Sequence, residues 1–216
     1  MTHPKVAIIG AGASGLCTIK ECLAAGLEVV CFEQDVGLGG LWSLHSGKKS
    51  THSSVYQSTI CNTSKEYAIF ILIISMTGFS DFPFPDEWPI YLPSDLIGKY
   101  LEMYAEHFGL IDHIKFNRTV SSVAMHIDEN GNHTGKWVLV VENSNKRGAG
   151  LKRKEDSLDH IKESKERGRK MVFDQVIVST GHVSLCRLMY STRSQTFQNL
   201  RVLSCFRVKR CIQIHM

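Results

Sequence analysis

The sequence predicts an α/β fold built on a parallel sheet, and three stretches carry that prediction. Residues 5–9 (Lys-Val-Ala-Ile-Ile) are an apolar run of strand length. Gly10-Ala11-Gly12-Ala13-Ser14-Gly15 follows at once, and Leu16 to Ala25 continues as a helix. Far along the chain, Met171 to Ser179 is a second buried-strand run, closed by Thr180-Gly181-His182. A G-x-G-x-x-G between a strand and a helix is the context in which that pattern binds dinucleotides. The expected class is therefore a Rossmann-like dinucleotide-binding (FAD/NAD(P)-binding) α/β fold, here with a β-ribbon insertion.

Each residue of the turn has a physical reason. Gly10 allows the tight turn, Gly12 leaves room for a pyrophosphate, and Gly15 lets helix and strand pack closely. Ala13 and Ser14 complete the motif as candidate cofactor contacts, and the following helix's first N–H groups and partial positive charge suit phosphates. Glu28 to Glu33 reads as the second strand. Glu33 at its end is placed to accept hydrogen bonds from a ribose diol and to disfavour a 2′-phosphate. The ligand expected here is FAD or NAD rather than NADP.

Gly37-Leu38-Gly39-Gly40-Leu41-Trp42 comes next. Its glycines suggest a backbone passing close to a ligand, with Gly40, Leu41 and Trp42 as candidate cofactor contacts; a flexible loop is the plain alternative. Phe79 to Asp86 alternates aromatics with turn formers, and its prolines disfavour a helix. Ser94 or Asp95 is expected to cap the following helix. Leu96, Ile97, Tyr100, Leu101, Tyr104 and Phe108 recur at helical spacing, so these aromatics read as packing. Residues 114–127 and 136–142 alternate as strands around a turn at 129–132, forming the β-ribbon. Residues 146–170 are densely charged with few apolar positions and read as a solvated loop or a helix with little to bury. Thr180 and Gly181, at the carboxyl end of a strand, are expected to meet the cofactor. Residues 183–216 show no clear period and hold no glycine.

Composition narrows the class. The chain has 216 residues, 43% hydrophobic and 21% charged, as in an ordinary soluble domain. The net charge of +4 gathers in the tail without a basic face interleaved with aromatic readers, which argues against nucleic-acid binding. The seven cysteines form no C-x-x-C pair and read as free thiols of a reducing, cytoplasmic compartment. The longest apolar run, Ala68 to Met76, is far short of the ~20 residues of a membrane span. The ten histidines show no metal-ligand spacing, so no metal is expected. His182 reads as a packing or surface residue.

Taken together, the motifs resemble the flavin-containing monooxygenases. The matching stretches are Val6 to Leu16 with Glu33, Gly39-Gly40-Leu41-Trp42, Asn62-Thr63-Ser64-Lys65-Glu66, Phe79 to Pro85, and Val176 to His182, in the family's order. The resemblance covers most of residues 3–182. It implies that the first glycine motif holds FAD through Gly10, Gly12, Gly15 and Glu33, and that Gly39 to Trp42 line the path toward the flavin. It assigns Asn62 the place beside the isoalloxazine and NADP, where an amide donates and accepts at once. It implies an N,N-dimethylaniline-type monooxygenase that uses NADPH and oxygen to oxygenate amines or thioethers through a flavin C4a-hydroperoxide. It also implies association with the endoplasmic reticulum membrane, although the hydrophobic C-terminal anchor of some animal members is missing here.

The departures shape the expected organisation. Residues 1–182 are expected to form the FAD-binding domain, with 67–78 and 146–170 as insertions and 183–216 as a divergent tail. The family's second glycine motif, for NADPH, is absent after Thr180-Gly181-His182. The alternative is thus a truncated, non-catalytic FAD-binding fragment. An NAD-dependent dehydrogenase ranks below both, because no Tyr/Lys or His/Asp catalytic set accompanies the glycine motif.

Overall fold

The structure is a computed structural model that describes residues 3–43, 58–61, 78–144 and 168–181, together with the backbone of 201–202. The chain divides into two compact units, residues 1–36 with 113–216, and residues 37–112.

The first unit is the expected α/β fold. Its elements are β1 (Lys5–Ile9), α1 (Ala13–Ala24), β2 (Glu28–Phe32), β3 (Ile114–Lys115), β4 (Arg118–Ile127), β5 (His133–Asn143), β6 (Arg169–Phe173), β7 (Gln175–Val178) and β8 (Arg201–Val202). A parallel sheet runs in the order β3-β2-β1-β7-β8, and an antiparallel sheet in the order β4-β5-β6. β1 is nearly all buried because it is central and covered on both faces, which explains its unbroken apolar run. α1 begins at Ala13, three residues earlier than the periodicity predicts, with Gly12 as its N-cap. It ends where Gly26 takes φ +74° and donates to the Leu23 carbonyl at 2.9 Å, a left-handed glycine stop.

Two expected strands divide between the sheets. The run 114–127 breaks at Asn117, whose φ of 54° turns the chain. Ile114–Lys115 pairs with Cys31–Phe32 at the parallel edge, and Arg118 onward joins the antiparallel sheet. The run 171–179 breaks at Asp174. Its N–H donates to the Lys5 carbonyl at 2.9 Å, and its carboxylate accepts the Lys5 N–H at 2.8 Å and meets Lys136 Nζ at 3.2 Å. Met171 to Phe173 therefore belongs to β6 and Gln175 onward to β7. The expected ribbon is a three-stranded sheet, its second strand beginning at His133.

The two sheets meet face to face. Ala7, Ile9, Phe32, Val176 and Val178 of the parallel sheet pack against Val120, Val123, Leu139, Val141 and Phe173. Phe32 and Phe173 stack edge to face with centroids 6.0 Å apart. Burying each larger side chain contributes roughly 1.5–3 kcal/mol. This core fixes the sheet whose carboxyl ends carry the glycine turn. Beyond it, the backbone of Arg201–Val202 adds a parallel strand beside Ile177–Val178, so the tail contributes to the sheet.

The second unit contains a short 3-10 turn, Gly40–Trp42, and α2 (Ser94–His107). α2 buries Ile97, Tyr100, Leu101 and Tyr104, as its periodicity predicts. Tyr100 and Tyr104 pack against Phe79 and Phe82, and Tyr100 also against Phe84. The expected side-chain cap is not formed. Pro93 is the N-cap, and Ser94 is the first helical residue, nearly fully buried. Asp95 lies in the first turn, where its charge favours the helix dipole.

Candidate functional site

The strand order gathers the residues of the glycine turn at one end of the parallel sheet. β1 pairs with β2 on one side and β7 on the other, so the crevice beyond their carboxyl ends is a topological switch point. Gly10, Gly12, Ala13, Ser14 and Gly15 lie there as one turn running into α1, and α1 carries no side-chain cap. Gly10 adopts φ +100°, and its N–H donates to the Phe32 carbonyl at 2.9 Å. A Cβ on Gly10 would sit 2.7 Å from the Ser179 carbonyl oxygen, and one on Gly15 only 1.9 Å from the Gly10 carbonyl oxygen. Both positions exclude a side chain because backbone occupies the space. Beneath the turn, Cys31 Sγ lies 3.6 Å from the same Gly10 oxygen, and its thiol donates there.

Glu33 follows β2 and is 6% exposed. Its Oε2 accepts the Ala11 N–H at 2.7 Å and its Oε1 accepts the Asp35 N–H at 2.9 Å. Burial pushes its carboxyl above the ordinary value, and the charge of Asp35 adds to the rise. The N–H groups of Ala11, Asp35 and Gln34 pull the other way. The carboxylate thus braces the glycine turn and keeps acceptor capacity for a diol.

Thr180 and Gly181 leave β7 beside the turn, with Thr180 Cα 3.4 Å from the Cβ position of Gly10 and Gly181 at φ +69°. Thr180 Oγ1 and Ser179 Oγ are buried and have no hydrogen-bond partner among the described residues. Ser179 is not among the residues expected from the sequence; a hydroxyl as the last residue of an apolar strand was the available signal.

Gly40, Leu41 and Trp42 belong to the second unit. Gly39 caps their turn at φ +108°, and Gly40 takes φ +59°. A Cβ on Gly98 of α2 would lie 2.5 Å from the Trp42 carbonyl oxygen, so a glycine in the helix lets this turn approach closely. Ser43 Oγ is a further buried hydroxyl without a partner among the described residues. Asn62 and His182 lie outside the described residues, as do 67–77 and 146–167 of the expected insertions.

Other chemistry is sparse among the described residues. Cys17, Cys22, Cys31 and Cys61 form no disulfide, and burial, then the charge of Glu21, pushes Cys22 up to about 11. Among the described residues no cluster of His, Cys, Asp or Glu could hold a metal ion, and no helix is long and apolar enough to cross a membrane. A cavity of about 280 Å³ beside β2, lined by Val30, Phe32, Val141 and Met171, involves none of the turn residues.

Comparison with known proteins points the same way as the geometry. The model of the flavin-binding monooxygenase-like family matches residues 3–152. Flavin-containing monooxygenase 5 from Cavia porcellus is 38% identical over 182 residues, 84% of this chain and 28% of that protein. Flavin-containing monooxygenase 1 from Homo sapiens is 40% identical over 180 residues, 83% of this chain and 28% of that protein. Among solved structures, S-allyl-L-cysteine S-oxygenase from Allium sativum is similar with a TM-score of 0.60 and 26% identity, over 84% of this chain and 37% of that one. The chain therefore spans little more than a quarter of the curated relatives it matches, 28% of each.

Proposed function

Because the chain belongs to the flavin-binding monooxygenase-like family, we propose that it is the FAD-holding part of a flavin-dependent monooxygenase. The observation that carries this reading is the uncapped glycine turn at the switch point, with Glu33 at one side and, at the other, the Thr180 hydroxyl that has no partner among the described residues. These groups suit the adenosine and pyrophosphate of FAD. The N–H groups opening α1 bind the phosphates, Glu33 accepts from the ribose hydroxyls, and Thr180 donates to an oxygen of the ligand. Gly10 and Gly15 keep the turn tight enough for backbone to do this binding. When bound, the flavin supplies the oxygen chemistry: with electrons from NADPH, one atom of dioxygen goes to a soft nitrogen or sulfur nucleophile and the other leaves as water. Gly40, Leu41 and Trp42 line the approach to the flavin, and Asn62 offers an amide that donates and accepts beside it; both roles are carried over from the family. The substrates are small amines or thioethers.

A second reading has its own support. Residues 183–216 hold no glycine, so they supply no second nucleotide turn. On that reading this chain binds FAD and does not engage NADPH. Reconstitution with FAD, followed by anaerobic NADPH, separates the two. Bleaching of the bound flavin supports a working reductive half-reaction. Flavin that stays bound and oxidised supports the FAD-binding chain without NADPH. A chain that takes up no flavin contradicts both.

A further inference from the structure

Hydroxyl and thiol groups around the glycine turn fall into two sets. Thr18 Oγ1 donates to the Ser14 carbonyl at 2.8 Å, and the Cys31 thiol to the Gly10 carbonyl. Ser179 Oγ, by contrast, is buried with no hydrogen-bond partner among the described residues. Ser179 is only 8% exposed. Its backbone fixes where the side chain leaves the strand. The Ser179 N–H donates to the Ile9 carbonyl at 2.8 Å, the Ser179 carbonyl closes on Gly10, and the Ser179 Cβ is 3.8 Å from the position a Cβ on Gly15 would take. The side chain therefore meets the turn at the uncapped start of α1. Leaving a buried hydroxyl unpaired is unfavourable, and at the end of an apolar strand an alanine or cysteine would pack without that cost. The hydroxyl needs an acceptor, and the described residues do not provide one.

We propose that Ser179 is a further anchoring residue for the dinucleotide, donating its hydroxyl to the anionic pyrophosphate held at the turn, directly or through one bound water. The inference rests on the FAD reading above and deepens it.

The test uses the full 216-residue chain and its Ser179→Ala and Ser179→Cys variants. Cysteine keeps the volume and replaces the hydroxyl with a weak donor. Two quantities are measured: FAD affinity by flavin fluorescence quenching, and the urea midpoint without FAD. A hydrogen bond to a charged group predicts an affinity loss of about tenfold in both variants. The FAD-free midpoint should hold or rise, because a buried hydroxyl without a partner among the described residues has been removed. Equal FAD affinity in all three proteins overturns the inference and leaves the FAD reading intact. A midpoint that falls together with affinity assigns Ser179 a purely structural role and also overturns it. A wild-type chain that binds no FAD overturns the reading and the inference together.

Discussion

The Glu33 carboxylate accepts the Ala11 N–H at 2.7 Å, so the end of β2 is tied directly to the glycine turn at the end of β1. That bond forms inside a buried site, and burial raises the Glu33 pKa above its ordinary 4.5. An acid with a raised folded-state pKa binds its proton more readily folded than unfolded. Its contribution to stability is then greatest below the unfolded value and falls as pH rises through the folded one. The difference in urea stability between wild type and Glu33→Gln, measured without FAD, should therefore shift against the wild type as pH rises above about 4.5. A difference that moves toward the wild type over that range contradicts the assignment.

Asp174 should behave with the opposite sign. Its pKa is lowered by the Lys5 N–H first and by Lys136 second. Its contribution is present above the ordinary 3.8 and is lost as pH falls through the depressed folded value. The side chain is partly exposed, so Asp174→Asn should cost less than about 1 kcal/mol at neutral pH, and the gap to wild type should close in acid. Urea titrations at several pH values read both effects.

Gly15→Ala puts a methyl group 1.9 Å from the Gly10 carbonyl oxygen, a backbone atom that cannot move without opening the turn. A destabilisation of roughly 1–3 kcal/mol or more is expected, together with loss of FAD retention. Gly26→Ala is the control, because its Cβ meets nothing within 4 Å and only the left-handed φ of +74° is strained. It should cost about 1–2 kcal/mol and leave FAD affinity unchanged.

In the second unit, the Tyr100 hydroxyl accepts the Phe79 N–H at 2.7 Å and donates to the Phe82 carbonyl. Tyr100→Phe keeps the aromatic packing and leaves both backbone groups without that partner. A loss of about 1–3 kcal/mol is expected, with faster amide hydrogen exchange at Phe79. Unchanged exchange at that amide would show that the hydroxyl does not hold the segment.

The local parts of this architecture were legible because short-range chemistry decides them. The glycine turn, β1, and the Tyr100/Tyr104 face of α2 each follow from spacing within a few residues. The partition of strands between sheets does not. Residues 171–179 read as one apolar run because β6 and β7 both feed the core between the sheets, and the break at Asp174 depends on Lys5 and Lys136, distant in sequence. Asn117 likewise redirects the chain through a left-handed φ that alternation does not reveal. Within the candidate site, Glu33 was legible as an acidic residue at the end of β2, whereas its bracing of Ala11 required the tertiary structure. Ser179 escaped notice because its hydroxyl stands out only once its neighbours, and the lack of a partner among them, are known.

The most direct test of the central claim is the affinity of the purified, ligand-free chain for FAD and for NAD, measured beside Gly12→Val. The account predicts that wild type binds FAD with bound-flavin absorbance and prefers it to NAD, and that Gly12→Val loses it because a side chain now blocks the pyrophosphate. Preference for NAD, or normal flavin stoichiometry in Gly12→Val, would contradict the assignment of this turn to FAD.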